Sequence, residues 1–355
     1  LKVIALYSSL AYPFPERPAA GAMLEVAPGV HWVRMPIPIP GLEFINLWVL
    51  EDGDGWTIID SGLRSKTIQG HWEEIFAGPM GGRPVNRVIC THFHPDHLGL
   101  AGWITERFDV PLWMTLGEWS FGRMITLDGE AVMSADVLDF YRRIGFGPAQ
   151  LEHYQSRGVN RYRSAVSRIP SSFHRIADGD RIVIGGREWQ IIVGYGHSYE
   201  HACLYCAELD LLISGDQILP RITPHIGVYP GEPEANPLRL YLNSLPYFRP
   251  LPVDTLVLPS HNDPFRGLHL RLDQIKAHHD KRLDDLDTAC VEPKSALDVL
   301  PVLFRRQLDE NSTFMAVGEA LAHLHWLIGE KRIARARDDD GVVRYRQSHV
   351  AADAA

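Results

Sequence analysis

Residues 87–99 read Arg-Val-Ile-Cys-Thr-His-Phe-His-Pro-Asp-His-Leu-Gly, and no other segment constrains the fold as tightly. A β-branched run ends directly in His92, and three histidines and one aspartate fall within the six residues 92–97. The helical pattern LGLAGWITERF follows over 98–108. This predicts a strand, a tight turn and a helix, with the polar cluster at the strand's C-terminal end, where open α/β folds place their chemistry. At such a turn His92 and His94 can converge on one cation while Asp96 and His97 face a second. Imidazole nitrogens with a carboxylate suit zinc and, less selectively, iron or manganese.

Three later residues sit in the same context, each just after a β-branched or leucine-rich run. They are His197 in Gly196-His-Ser, Asp216 in Ile213-Ser-Gly-Asp and His261 in Leu258-Pro-Ser-His. Around them, hairpin punctuation between apolar runs predicts antiparallel strands over 26–60, 180–193 and 202–216. A helical stretch of about 117–176 interrupts the strands and is too long for a structureless loop. Beyond residue 266 the character changes to an amphipathic helix over 269–286, helices over 296–306 and 316–329, and a hairpin turning at Asp340-Gly341. The expected organisation is a catalytic domain of 1–265 and a winged-helix-like C-terminal domain of 266–355.

Taken in order, these motifs resemble the metallo-β-lactamase-fold hydrolase superfamily. Its HxHxDH signature is met by His92, His94, Asp96 and His97, its later ligand motifs by His197, Asp216 and His261, and its strand-end aspartate by Asp60 in Ile59-Asp-Ser-Gly. The resemblance spans about residues 25–265 and implies a four-layer αββα sandwich with a dinuclear metal site at one edge of its sheets. It implies one metal on His92, His94 and His197, another on Asp96, His97 and His261, and Asp216 between them. Asp60 and His201 would orient these ligands from behind. A hydroxide shared by two divalent cations, most simply Zn2+, would attack a carbonyl carbon, with Asp96 moving its proton.

The carboxylate at Asp216 bears on substrate class, because dedicated β-lactamases of the fold usually carry cysteine or serine there. The appended helices, with the segment 319–330, look like the branch of glyoxalase II-type thioesterases and lactamase-like-2 proteins. The expected substrate is therefore a small acyl compound, a thioester of the hydroxyacylglutathione or acyl-CoA type ahead of another ester or lactone. An RNA-processing nuclease and a promiscuous β-lactamase are the alternatives.

Composition favours the small molecule. With 35 basic and 44 acidic side chains the net charge is −9, which disfavours nucleic acid. No apolar run reaches the roughly 20 residues of a membrane span. Four scattered cysteines point to a reducing, cytoplasmic compartment, with secretion left open by a faint apolar stretch over 3–12, and a homodimer is possible. Candidate substrate contacts are Tyr195, Tyr199, His225 and Tyr229, beside the ligand motifs, and Arg157 and Arg161, which open a strip continued by Arg163, Arg168 and Arg175. That strip contains no acid over 155–177 and could hold a phosphate or carboxylate.

Overall fold

The computed structural model describes residues 9–38, 42–127, 134–156, 161–305 and 307–348. Its first sheet runs in chain order through β1 (Met23–Ala27), β2 (Val30–Pro36), β3 (Phe44–Asp52), β4 (Gly55–Ile59), β5 (Val85–Ile89), β6 (Leu112–Met114) and β7 (His174–Arg175). The first four strands pair antiparallel and the rest join in parallel. The second sheet is β8 (Arg181–Ile184), β9 (Arg187–Gly194), β10 (His201–Cys206), β11 (Leu211–Gly215) and β12 (Leu256–Pro259), antiparallel except for the parallel pair of β11 and β12.

Period-two alternation decides how these sheets stack. On β2 and β3, Trp32, Trp48 and Leu50 face β9 to β12, packing with Trp189, Ile191, Leu204, Ile213 and Leu258 between the sheets. Val33, Met35, Leu47 and Val49 point the other way, onto Ile68, Trp72, Ile75 and Phe76 of the helix Lys66–Ala77 and Ile104 of Ala101–Phe108. Both faces of the first sheet are thus dry, which is why β3 and β4 read as nearly continuous apolar runs. On the far side of the second sheet Leu212 and Val257 are fully buried, and the 3-10 turn Leu245–Phe248 packs on β9. The result is an α/β fold of two mixed sheets with helices.

Two expectations shift. The helical stretch after β6 ends in the short strand β7, which extends the first sheet. The helix expected over 296–306 contracts to Leu300–Leu303, because Pro301 has no N–H to donate and is accepted only in a first turn. The helix after it is longer than its apolar pattern, running Glu310–Gly329 from an Asp309 cap that accepts from Ser312 N at 2.6 Å.

The chain divides into two compact units, one of 1–129, 160–224 and 244–272, the other of 130–159, 225–243 and 273–355. The helical stretch of 117–176 is thereby shared between them. In the second unit Phe314 stacks on Phe146 and Tyr154, and the two-stranded β13 (Ile333–Arg337) and β14 (Val343–Gln347) closes the described chain.

Glu319 is the electrostatic centre of this unit, accepting Arg282 at 3.2 Å and lying 3.8 Å from His225 Nδ1. Burial raises its pKa, but His225 and Arg282 override that and bring it down to about 2. Its contribution to stability is therefore complete above the unfolded value of about 4.3 and is lost as pH falls from there toward 2. Glu319→Gln should cost about 3 kcal/mol in urea unfolding at pH 7 by leaving Arg282 unpaired. The gap to the parent protein should narrow below about pH 4; an equal gap at both pH values would show that the pair is not what holds the unit.

Candidate metal centre

Seven side chains from separate strand ends meet in the first unit. The turn after β5 supplies His92, His94, Asp96 and His97, the loop after β9 supplies His197, Asp216 follows β11, and His261 follows β12. Within each of three groups the ligand-type atoms lie within 4.8 Å of one another: His92, His94 and His197; His92, His97 and Asp216; Asp96, His97 and His261.

Asp216 faces both sides of this cluster. Its Oδ2 lies 3.4 Å from His197 Nε2, while its Oδ1 lies 3.5 Å from both His97 Nε2 and His261 Nε2. Asp96 Oδ2 stands 3.4 Å from His261 Nε2 and 3.7 Å from His97 Nε2. In the other trio, His92 Nε2 is 2.9 Å from His94 Nδ1 and 3.2 Å from His197 Nε2. Three imidazoles turned edge to edge in a buried site present more lone pairs than protons can join.

Among the described residues the buried His97 Nε2 and Asp216 Oδ1, 3.5 Å apart, make no well-formed hydrogen bond, a cost that cations between them would offset. Burial and the neighbouring rings hold His92 and His94 well below the usual histidine range, which keeps them in the neutral, metal-binding form. Burial acts to neutralise Asp216 and Asp96 too. The charges of His261 and His97 override it at Asp216, and those of His97 and His261 at Asp96, holding both carboxylates below their ordinary values. The donor set, its burial and these orphaned atoms fit a pair of divalent cations.

The residues behind the cluster fix its orientation. Asp60 accepts from Thr91 N at 2.8 Å and from Thr91 Oγ1, and its Oδ2 meets His97 Nδ1 at 2.8 Å, so Nε2 is the nitrogen turned to the site. It does so at φ 61, a left-handed conformation that aspartate tolerates better than most residues. His201 Nε2 accepts from Asp216 N at 3.1 Å, and burial takes its pKa down to about 3, keeping that lone pair available. Gly215 permits this approach: at φ 53 a Cβ there would come within 2.3 Å of the His201 ring.

Among the expected substrate contacts, Tyr199 is 43% exposed, with its ring 4.7 Å from Phe121 and 6.3 Å from Phe93 of the histidine motif. Tyr195 lies in the same unit, its N–H donating to Ser244 Oγ at 3.3 Å. His225 and Tyr229 belong to the second unit, rings 6.1 Å apart. Arg157 and the Arg161 side chain fall outside the described residues. Arg163 and Arg168 line a cavity of about 640 Å³ with Arg64 and Arg123.

Two residues behind the site escaped the sequence reading. Glu118 is fully buried on the helix Leu116–Leu127, its Oε2 accepting from Phe93 N at 2.9 Å and its Oε1 from Glu200 N at 2.7 Å. It ties the histidine motif to the loop that carries His197. Its signal was a lone acid in the largely apolar run MTLGEWSF. Asn46 on β3 donates to Pro259 O at 2.8 Å and Asn262 O at 2.6 Å, clamping the turn that presents His261. An asparagine inside a hydrophobic strand marked it.

The sequence of residues 40–261 matches the model of the metallo-beta-lactamase superfamily. The chain belongs to that superfamily. Residues 283–348 match a second model, the metallo-beta-lactamase-like C-terminal domain. A beta-lactamase domain protein from Burkholderia ambifaria, known as a crystal structure, is 45% identical with a TM-score of 0.86 over 95% of this chain and 97% of its own. The Bacillus subtilis protein YqjP, named a probable metallo-hydrolase, is 24% identical over 85% of this chain and 92% of its own. A hydroxyacylglutathione hydrolase of Xylella fastidiosa is 23% identical over 77% of this chain and 81% of its own. With its His/Asp cluster, the chain is a superfamily member of the metal-dependent hydrolase type, and no helix among its described residues is long and apolar enough to cross a membrane.

Proposed function

We propose that this superfamily member hydrolyses a small acyl substrate, a thioester in the first place and another ester or lactone in the second, with two zinc ions as its cofactor. The observation that carries the reading is the two-sided carboxylate of Asp216, with one oxygen toward His197 and the other toward His97 and His261. His92, His94 and His197 would hold one ion, Asp96, His97 and His261 the other, and Asp216 both. When bound, such ions supply Lewis acidity and ionise water near neutral pH.

The chain's own groups do the rest. Asp96 is partly exposed, and its carboxylate takes the proton of the attacking water to hand to the leaving thiolate or alkoxide. Asp60 keeps the His97 ring from turning, while His201 and Glu118 hold the backbone at Asp216, Phe93 and Glu200. The likeness to the Xylella hydroxyacylglutathione hydrolase supports a thioester. Against an RNA substrate weighs the hairpin of the second unit, whose Arg335, Arg337 and Arg344 face Glu234, Asp139, Asp298, Asp338 and Asp340 instead of forming an open basic stripe.

Asp96→Asn should lower kcat by about 100-fold or more while metal content, read by elemental analysis, falls less than in proportion. Parallel loss of both would make Asp96 a ligand only. The reading as a whole is tested by one hydrolysis panel on zinc-reconstituted and metal-stripped protein. It spans glutathione and coenzyme A thioesters, an acyl-homoserine lactone, a chromogenic cephalosporin and single-stranded RNA. Metal-dependent turnover led by a thioester or lactone supports it; cleavage confined to RNA or to the cephalosporin overturns it.

A further inference from the structure

We propose that a small pocket beside His261 holds a compact oxyanion of the substrate, a carboxylate or phosphate, and that Arg34 is the residue that recognises it. This rests on the hydrolase reading and deepens it, by naming a charged group that the acyl substrate carries.

The pocket measures about 160 Å³, enough for one such group, and Arg17, Arg34, Phe44, Arg221, Asn262 and Asp263 supply most of its wall. Three guanidinium groups line it, and two of them converge on a single buried carboxylate. Arg17 already grips Asp263 with both arms, Nε to Oδ1 at 2.6 Å and a terminal nitrogen to Oδ2 at 2.7 Å, and Arg221 stands 3.4 Å from the same Oδ2. The remaining acid of the wall, Glu43, is exposed and makes no ion pair with Arg34.

Arg34 is therefore left over. It is half-buried with its guanidinium 4.0 Å from the centre of the Phe44 ring, and among the described residues it has no hydrogen-bond partner. Burial and the charge of Arg17 work against its ionised form and outweigh the favourable charges of Asp263 and Glu43. A guanidinium offers a planar fork of donors that matches a carboxylate or phosphate in two-point contact. In the same wall, the Asn262 carbonyl accepts from Asn46 Nδ2 at 2.6 Å, which fixes that edge of the pocket. A half-buried guanidinium without a hydrogen-bond partner in a small pocket is a cost that persists where an anionic ligand offsets it.

The pocket adjoins the chain segment that presents His261. Asn262 directly follows His261, and the carbonyl of Phe44, whose ring supports Arg34, meets His261 Nδ1 at 3.2 Å. An anion seated there would be anchored next to a metal ligand, so its binding energy can position the scissile carbonyl.

The test uses matched thioesters whose acyl chains end in a carboxylate, a phosphate or a neutral carboxamide, with the zinc-loaded protein, Arg34→Gln and Arg34→Lys. The parent protein should favour one charged member over the neutral one, and which one it favours identifies the oxyanion. Arg34→Gln should reduce that kcat/KM ratio by about tenfold, through KM more than kcat, and Arg34→Lys should retain part of it. Calorimetric titration with inorganic phosphate and with glutarate gives a readout independent of turnover. Any share held by the metals is common to all three proteins, so an affinity about tenfold weaker in Arg34→Gln at equal zinc content reads the pocket. If no thioester is cleaved yet anion affinity follows Arg34, the hydrolase reading falls and the subsite stands. If thioesters turn over and neither the ratio nor the affinity responds to either variant, the subsite is overturned.

Discussion

Asp216→Asn should lower kcat/KM by on the order of 10³-fold and take bound metal from about two ions per chain to about one. The two oxygens of Asp216 face different histidines, His197 on one side and His97 with His261 on the other. An amide of the same size keeps one acceptor and must turn its NH2 toward the other trio. One side of the cluster then meets a donor where it needs a negative lone pair, and the charge that balances two cations falls by one. Elemental analysis with steady-state kinetics checks this, and circular dichroism confirms that the fold survives. Unchanged metal content with activity within tenfold would mean that Asp216 is not shared between two ions.

The second large effect is expected at a residue that is not itself among the candidate ligands. Glu118→Gln preserves shape, but both carboxylate oxygens are already committed to backbone amides, one to Phe93 N and one to Glu200 N. The substituted amide can accept from only one of them and must aim its own NH2 at the other, in a place with no access to water. Leaving one buried N–H unsatisfied costs about 1–3 kcal/mol, and the loops bearing His94 and His197 lose their common anchor. Metal affinity should weaken about 10- to 100-fold, as when a group that orients a ligand is removed. Competition with a chromophoric chelator measures the affinity and thermal unfolding the stability. Loss of stability with affinity unchanged would reduce Glu118 to a structural residue.

Much of the fold and of the cluster was legible in the sequence, because both are written in short-range pattern. Alternation on β2 and β3 reports two dry faces, and a ligand placed just after an apolar run is at a strand end wherever that strand lies. His197, Asp216 and His261 could therefore be named from local context together with the order of the motifs. Pro301 shows the limit of the same method: an apolar run suggested a helix over 296–306, and one missing N–H confined it to 300–303.

The chain alone determined which strand ends carry donors, since that depends on residues adjacent in sequence. Only the tertiary structure decided what stands behind those donors and beside them. Glu118 reaches Phe93 across 25 positions and Glu200 across 82, Asn46 reaches Asn262 across 216, and Arg17 takes Asp263 across 246 while Arg34 has no hydrogen-bond partner among the described residues. Such contacts leave no periodic trace, because chain closure sets them side by side and burial alone makes each polar atom answer for its partner.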